Sequence, residues 1–211
     1  MSLFPIFLKL DGRPCLVVGA GPVAESKIVG LIEAGAVVRV VAPRATLSIE
    51  QRAKDGELRW LPRSFEPADL EGVFLVVVAT SSRELNEHVF REAQNHGTLC
   101  NVVDDPPHCD FYYPSVVRRG DLQFAISSAG HSPALAQRLR KELDRQLEPE
   151  YRQWLACLGR VRRGLYRRAM DNTLRHALLH RLASRERFQL FLQRSRSRQE
   201  RGIEAGVGHE G

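Results

Sequence analysis

The chain has 211 residues, 43% hydrophobic and 27% charged, with a formal net charge of +6. That length suits one α/β core with an appendage; no apolar run approaches the roughly 20 residues of a membrane span, and Cys15, Cys100, Cys109 and Cys157 show no C-x-x-C spacing. The start, MSLFPIFLKL, lacks a basic leader region and is cut by Pro5, so a cytoplasmic protein with reduced thiols is expected.

Phe4 to Leu10 predicts an edge strand, with Asp11-Gly12 as its turn. Cys15 to Val18 is a short apolar run, as in a strand buried on both faces. Gly19, Gly21 and Ala24 then spell G-x-G-x-x-A. The first glycine permits a tight turn, the second lets backbone approach a pyrophosphate, and the small third residue lets a helix pack on its strand. Pro22 suits the first helical turn; Ala24, Ile28, Leu31 and Ile32 share one helical face; Gly35 ends the helix and Val37 to Val41 is the next strand. In this strand–turn–helix–strand setting the pattern points to a dinucleotide, against the alternative of a tight turn with no ligand. The acidic residue that should end the second strand and hold the ribose is missing. Its place is taken by Ala42-Pro43-Arg44. Arg44 taken alone favours a 2′-phosphate and NADP; a loop in which Pro43 and Arg44 touch the ribose through backbone leaves NAD, and both readings stay open.

Residues 46–54 suit a short helix and Leu58 to Leu61 a third strand. Phe74 to Thr80 is the most continuously apolar run, hence a central parallel strand; Arg83 to Asn95 is helical, and Leu99 to Val103 is a fifth strand ending at Asp104-Asp105-Pro106-Pro107. The alternation predicts a Rossmann-like, doubly wound parallel sheet over 1–113. Pro114 to Gly120 and Leu122 to Ser127 then read as two strands about an Arg118-Arg119-Gly120-Asp121 turn. Ser132 and Pro133 open a helix to about Leu147, completing a segment over 114–148; 149–195 reads as a helical domain with an apolar stripe from Tyr151 to Leu165, and 196–211 as a disordered tail. Residues 151–201 hold 14 arginines against Asp171, Glu186 and Glu200, a net of +11 that leaves −5 for the rest. Such a segment binds nucleic acid, meets a polyanionic small molecule, or is a solvated helix face.

Four stretches, PIFLKLDGRPCLVVGAGPVAESK, VVAP, NVVDDPPHCDFYYPSVVRRGDL and AISSAGHSPALAQRLRKEL, resemble the precorrin-2 dehydrogenase/sirohydrochlorin ferrochelatase family, the module also found at the N-terminus of siroheme synthases. The likeness runs from residue 3 to about 190, and the family's methyltransferase domain is not expected within these 211 residues. It implies oxidation of precorrin-2 to sirohydrochlorin with NAD, in some members followed by insertion of Fe²⁺. It also implies a homodimer formed through the central segment 114–148, and a tetrapyrrole partner rather than nucleic acid or membrane. By position, Pro22 and Val23 lie by the pyrophosphate and Pro43 and Arg44 by the ribose. Asp104 matches the aspartate expected to act in dehydrogenation and chelation, with a turn residue as the alternative; Asp105 suits a turn or cap. A polycarboxylate substrate needs cations, for which Arg118, Arg119 and Arg138 are candidates, along with Arg140, Lys141 and the arginine-rich helices.

Ser128, expected among the substrate-binding residues, matches a serine phosphorylated in some members, with a loop hydrogen-bonding role as the alternative; Ala129-Gly130 replaces the usual Gly-Gly. His176 and His180 have metal-binding spacing, but arginines surround them, so no metal is expected. The rival readings are a chelatase without dehydrogenation and a nucleotide-sensing module without catalysis. The second leaves NVVDD and SSAGHSP unexplained.

Overall fold

The computed structural model describes residues 3–195; the expected tail over 196–211 lies outside them. The chain divides into compact units between Tyr113 and Pro114. In the first, five parallel strands, β1 (Pro14–Val18), β2 (Val37–Val41), β3 (Arg59–Leu61), β4 (Leu75–Val78) and β5 (Leu99–Val102), stand in the order β3-β2-β1-β4-β5. Helices α1 (Pro22–Glu33), α2 (Leu47–Lys54) and α3 (Arg83–His96) connect them. The sheet is apolar on both faces because both faces are covered. Successive side chains of β1 alternate: Cys15 and Val17 join Ala24, Ile28 and Leu31 of α1 and Ile49 of α2, while Leu16 and Val18 join Val89 and Ala93 of α3. Burial pushes the Cys15 thiol up to about 11 and that of Cys100 up to about 12, as befits inert core thiols.

The edge strand expected over Phe4 to Leu10 does not form; residues 3–10 have no regular secondary structure. Pro5 has no amide to give to a ladder, Phe4, Ile6 and Phe7 are exposed, and only Leu10 reaches the core. The turn after it survives: Gly12 takes φ +68° and the Arg13 amide donates to Leu10 O at 2.8 Å.

The second unit opens with the antiparallel hairpin β6 (Ser115–Arg119) and β7 (Leu122–Ile126), closed by Gly120 at φ +65°. Helices α4 (Pro133–Gln146), α5 (Tyr151–Tyr166) and α6 (Asn172–Leu182) follow, then a last helix over 185–195. Ser132 caps α4 by accepting from the Leu135 amide, with Pro133 in its first turn, as the sequence predicts. Phe188 of the last helix stacks on Tyr151 of α5 at 4.0 Å between ring centroids. Among the described residues no helix is long and apolar enough to cross a membrane.

Candidate functional site

Parallel pairing sets Val41, Val18, Val78 and Val102 side by side at the ends of their strands. Whatever follows each strand therefore emerges along one edge, where doubly wound sheets bind ligands. A cleft of about 720 Å³ lies there, lined by the 19–23 turn, Ala42 to Arg44, Thr80 to Ser82 and Asp104. The predicted cofactor residues Gly19, Gly21, Pro22, Val23, Pro43 and Arg44 thus meet Asp104 in one cavity.

Each wall has a local cause. Gly19 sits at φ +101°, and a Cβ on it would lie 2.3 Å from the Ala79 carbonyl oxygen. Only glycine lets the turn pass the end of β4. Gly21 is the N-cap of α1, with no side-chain cap and open space where its Cβ would be. The first amides of α1 therefore face the cleft uncapped beside room for a group, which fits a pyrophosphate. Pro22 opens that helix and Val23 is 52% exposed, an apolar side chain spent on the cleft. The Thr46 amide donates to Ala20 O at 3.1 Å, and its hydroxyl donates to Glu25 of α1, so the Pro43-Arg44 loop is tied to the glycine turn. Pro43 and Arg44 are exposed. On the opposite wall Ser82 caps α3 and Thr80 Oγ1 donates to Asn86 Oδ1 at 2.6 Å.

Asp104 follows β5 in the left-handed region, at φ +60°. It is exposed and makes no hydrogen bond among the described residues. Its neighbours hold the loop: Asp105 Oδ2 meets His108 Nδ1 at 2.8 Å, the Cys109 thiol donates to Val102 O at 3.1 Å, and buried Asn101 donates to Phe111 O at 2.7 Å. The two aspartates are thereby separated in role. Asp105 closes the turn; Asp104 lines the cleft with its carboxylate uncommitted. A non-glycine residue at positive φ costs of order 1 kcal/mol and is commonest at functional positions.

The expected substrate residues Arg118, Arg119, Arg138 and Ser128 belong to the second unit. Arg119 has a different task from the one expected. Its Nε and Nη2 donate to Leu147 O at 3.0 and 2.8 Å, Nη2 also to Asp144 O, and Nη1 to Asp144 Oδ1 and Arg118 O. All its N–H groups are engaged, so it caps the C-terminus of α4 and keeps no donor for a substrate carboxylate. Arg118 is exposed. Arg138 is exposed, with Nε 3.5 Å from Glu142 one turn on. Ser128 Oγ accepts from the Ser132 amide at 3.0 Å, and Ala129 takes φ +50°, where the glycine it replaces would be unstrained. The His176 and His180 rings lie 4.7 Å apart, and among the described residues no cluster of His, Cys, Asp or Glu is arranged to hold a metal.

Sequence reasoning missed Thr80 to Ser82, Ser64 and Phe65, which line the cleft, and Lys27 and Tyr113, which meet beside the Asp104 loop. Thr80-Ser81-Ser82, small polar residues directly after the most apolar strand, was the available signal; Phe65 has none.

A family model described as "Putative NAD(P)-binding" matches residues 6–115, and one described as "Sirohaem biosynthesis protein central" matches 119–146. Siroheme synthase of Photorhabdus laumondii is 46% identical over 144 residues, 68% of this chain and 31% of that protein. Siroheme synthase 1 of Cronobacter sakazakii is 49% identical over 161 residues, 76% of this chain and 33% of that protein. The chain thus spans about a third of the curated relatives it matches. The solved structure of SirC, a precorrin-2 dehydrogenase, aligns with TM-score 0.76 and 29% identity over 91% of this chain and 98% of that one.

Proposed function

The chain belongs to the NAD(P)-binding family of siroheme-biosynthesis proteins, and on that footing we propose that it is a cytoplasmic precorrin-2 dehydrogenase, oxidising precorrin-2 to sirohydrochlorin. The observation that carries the reading is Asp104, a carboxylate without a structural partner at the strand-end edge of the dinucleotide cleft.

Bound NAD⁺ supplies the hydride acceptor. The uncapped amides of α1 and the close backbone at Gly19 and Gly21 hold the pyrophosphate, and the Pro43-Arg44 loop meets the ribose. Val23 and Phe65 add apolar surface to the cleft wall. Asp104 takes the proton that leaves with the hydride, so the products are sirohydrochlorin, NADH and a proton passed to solvent. Arg138 and Arg118 of the second unit attract the substrate's carboxylates, whereas Arg119 is reserved for the α4 cap. Residues 114–148 supply the homodimer contact. Fe²⁺ is the substrate of a second reaction, in which Asp104 receives the pyrrole protons displaced from sirohydrochlorin. NAD⁺ is preferred to NADP⁺, Arg44 meeting the ribose through its backbone.

Incubating the purified chain with precorrin-2 and NAD⁺ tests this. NADH and the sirohydrochlorin spectrum should rise together, with kcat/KM higher for NAD⁺ than for NADP⁺. Binding of NAD⁺ and tetrapyrrole without turnover would instead assign a regulatory module, and a clear preference for NADP⁺ would make Arg44 a 2′-phosphate ligand.

A further inference from the structure

The order β3-β2-β1-β4-β5 fixes the sequence of loops along the strand-end edge of the sheet. Asp104 follows β5 at one end, the glycine turn follows β1 in the middle, Arg44 comes after β2, and Ser64 and Phe65 follow β3 at the other end; all of them line the cleft. A dinucleotide with its pyrophosphate at the glycine turn and its nicotinamide toward Asp104 extends its adenosine half the opposite way, past Arg44 to Ser64 and Phe65.

The segment that carries those two residues follows the edge strand of the sheet, and it is tied down by a buried ion pair. Asp69 is 4% exposed. Arg63 grips its carboxylate through two bonds, Nη1 to Oδ2 at 2.8 Å and Nη2 to Oδ1 at 2.7 Å, and Nη1 also donates to Ser64 O at 2.9 Å. The Glu66 amide donates to Asp69 Oδ2 at 3.0 Å, and Arg39 of β2 donates to Asp69 O. Residues 63, 64 and 66 are thus fixed on both sides of Phe65. Burial works to raise the Asp69 carboxyl, but the Arg63 guanidinium and the Glu66 amide hold it below the usual carboxylate range. Phe65 packs in the apolar cluster that Leu85 of α3 also joins, and both line the cleft, giving it the apolar surface that suits a flat aromatic base. A buried ion pair adds little net stability, because desolvation offsets its attraction, whereas its bidentate geometry is specific.

We propose that Ser64 and Phe65 form the adenine end of the cofactor cleft, and that Arg63 and Asp69 are the positioning residues that hold them there. The pair sets affinity for the adenosine half of the dinucleotide and leaves the chemistry at Asp104 alone. This rests on the cofactor reading and deepens it.

The pair can be removed without stranding a buried charge. Arg63→Met combined with Asp69→Leu replaces it with apolar side chains, an exchange that is often neutral for stability. In that double variant the Kd of NAD⁺ and that of 5′-AMP should each rise about tenfold by calorimetry, and the KM for NAD⁺ should rise with them while kcat at saturation and the melting temperature hold. Arg63→Lys keeps the charge but not the fork, and should give a smaller rise. Unchanged Kd values for both ligands in the double variant would overturn the proposal while turnover with NAD⁺ leaves the dehydrogenase reading intact. A melting temperature that falls together with affinity would make the pair a strut of the fold and overturn the proposal as well. Wild-type protein that binds no dinucleotide would instead overturn the cofactor reading on which it rests.

Discussion

The two units solve the problem of stability differently. Residues 3–113 bury both faces of a five-stranded sheet, and nearly all the fully buried apolar side chains lie there. Among the described residues 114–195 contribute only Val117, Ala136, Phe188 and Leu192 to that set. The first unit owes its stability to a closed core. The second is held by stacked rings, helix caps and an arginine clamp, with much of its helical surface charged. On the function proposed above, a polyanionic substrate would account for that economy: cations serve such a ligand only on a surface, and surface cannot also be core. The first unit thus rests on a broad buried core, and the second on a few side-chain contacts.

That contrast can be broken by mutation. Phe188→Ala removes a ring 3% exposed from the thin core and should cost about 3–5 kcal/mol. The cost should fall on 114–195 alone, with early proteolytic cutting there and NAD⁺ affinity kept by the first unit; simultaneous loss of both would mean that the units do not stand separately. Gly19→Ala is the converse test. A Cβ 2.3 Å from the Ala79 carbonyl at φ +101° should cost about 3 kcal/mol in urea unfolding and abolish NAD⁺ binding by calorimetry, while the second unit is spared.

Smaller changes sharpen the comparison within the second unit. Arg119→Ala strips the carbonyls at the end of α4 of charged donors and should lower stability by about 1–2 kcal/mol. Arg138→Ala breaks only an exposed i,i+4 pair, so its melting temperature should hardly move while tetrapyrrole affinity falls. Equal stability losses for the two would refute the division between clamp and ligand arginines. The smallest effect should come from Ala129→Gly, which relieves φ +50° and should raise stability by about 1 kcal/mol or less.

The sequence made some of this legible and hid the rest for physical reasons. Strands buried on both faces announce themselves by continuous apolar runs, so β1, β2, β4 and β5 were readable, as were the glycines whose φ values and clearances the turn demands. The expected strand at Phe4 to Leu10 failed because apolar composition does not supply a ladder partner. Arg119 turns back, 25 residues along the chain, to Asp144, a partner that nothing local in the sequence announces. Asp105 was expected in a turn or cap, and the fold adds the partner the sequence could not name, His108. Lys27 was overlooked because its partner, Tyr113, is remote in sequence and adjacent only through the loop.

The central claim is chemical: Asp104 is the base, not a strut. Asp104→Asn keeps shape and backbone while removing the acceptor, so single-turnover formation of sirohydrochlorin from precorrin-2 and NAD⁺ should slow by about 10²–10⁴. NAD⁺ affinity and melting temperature should remain at wild-type values, since the carboxylate supports nothing else. A wild-type rate in that experiment, with chemistry limiting, would show that the proton leaves by another route and contradict the account.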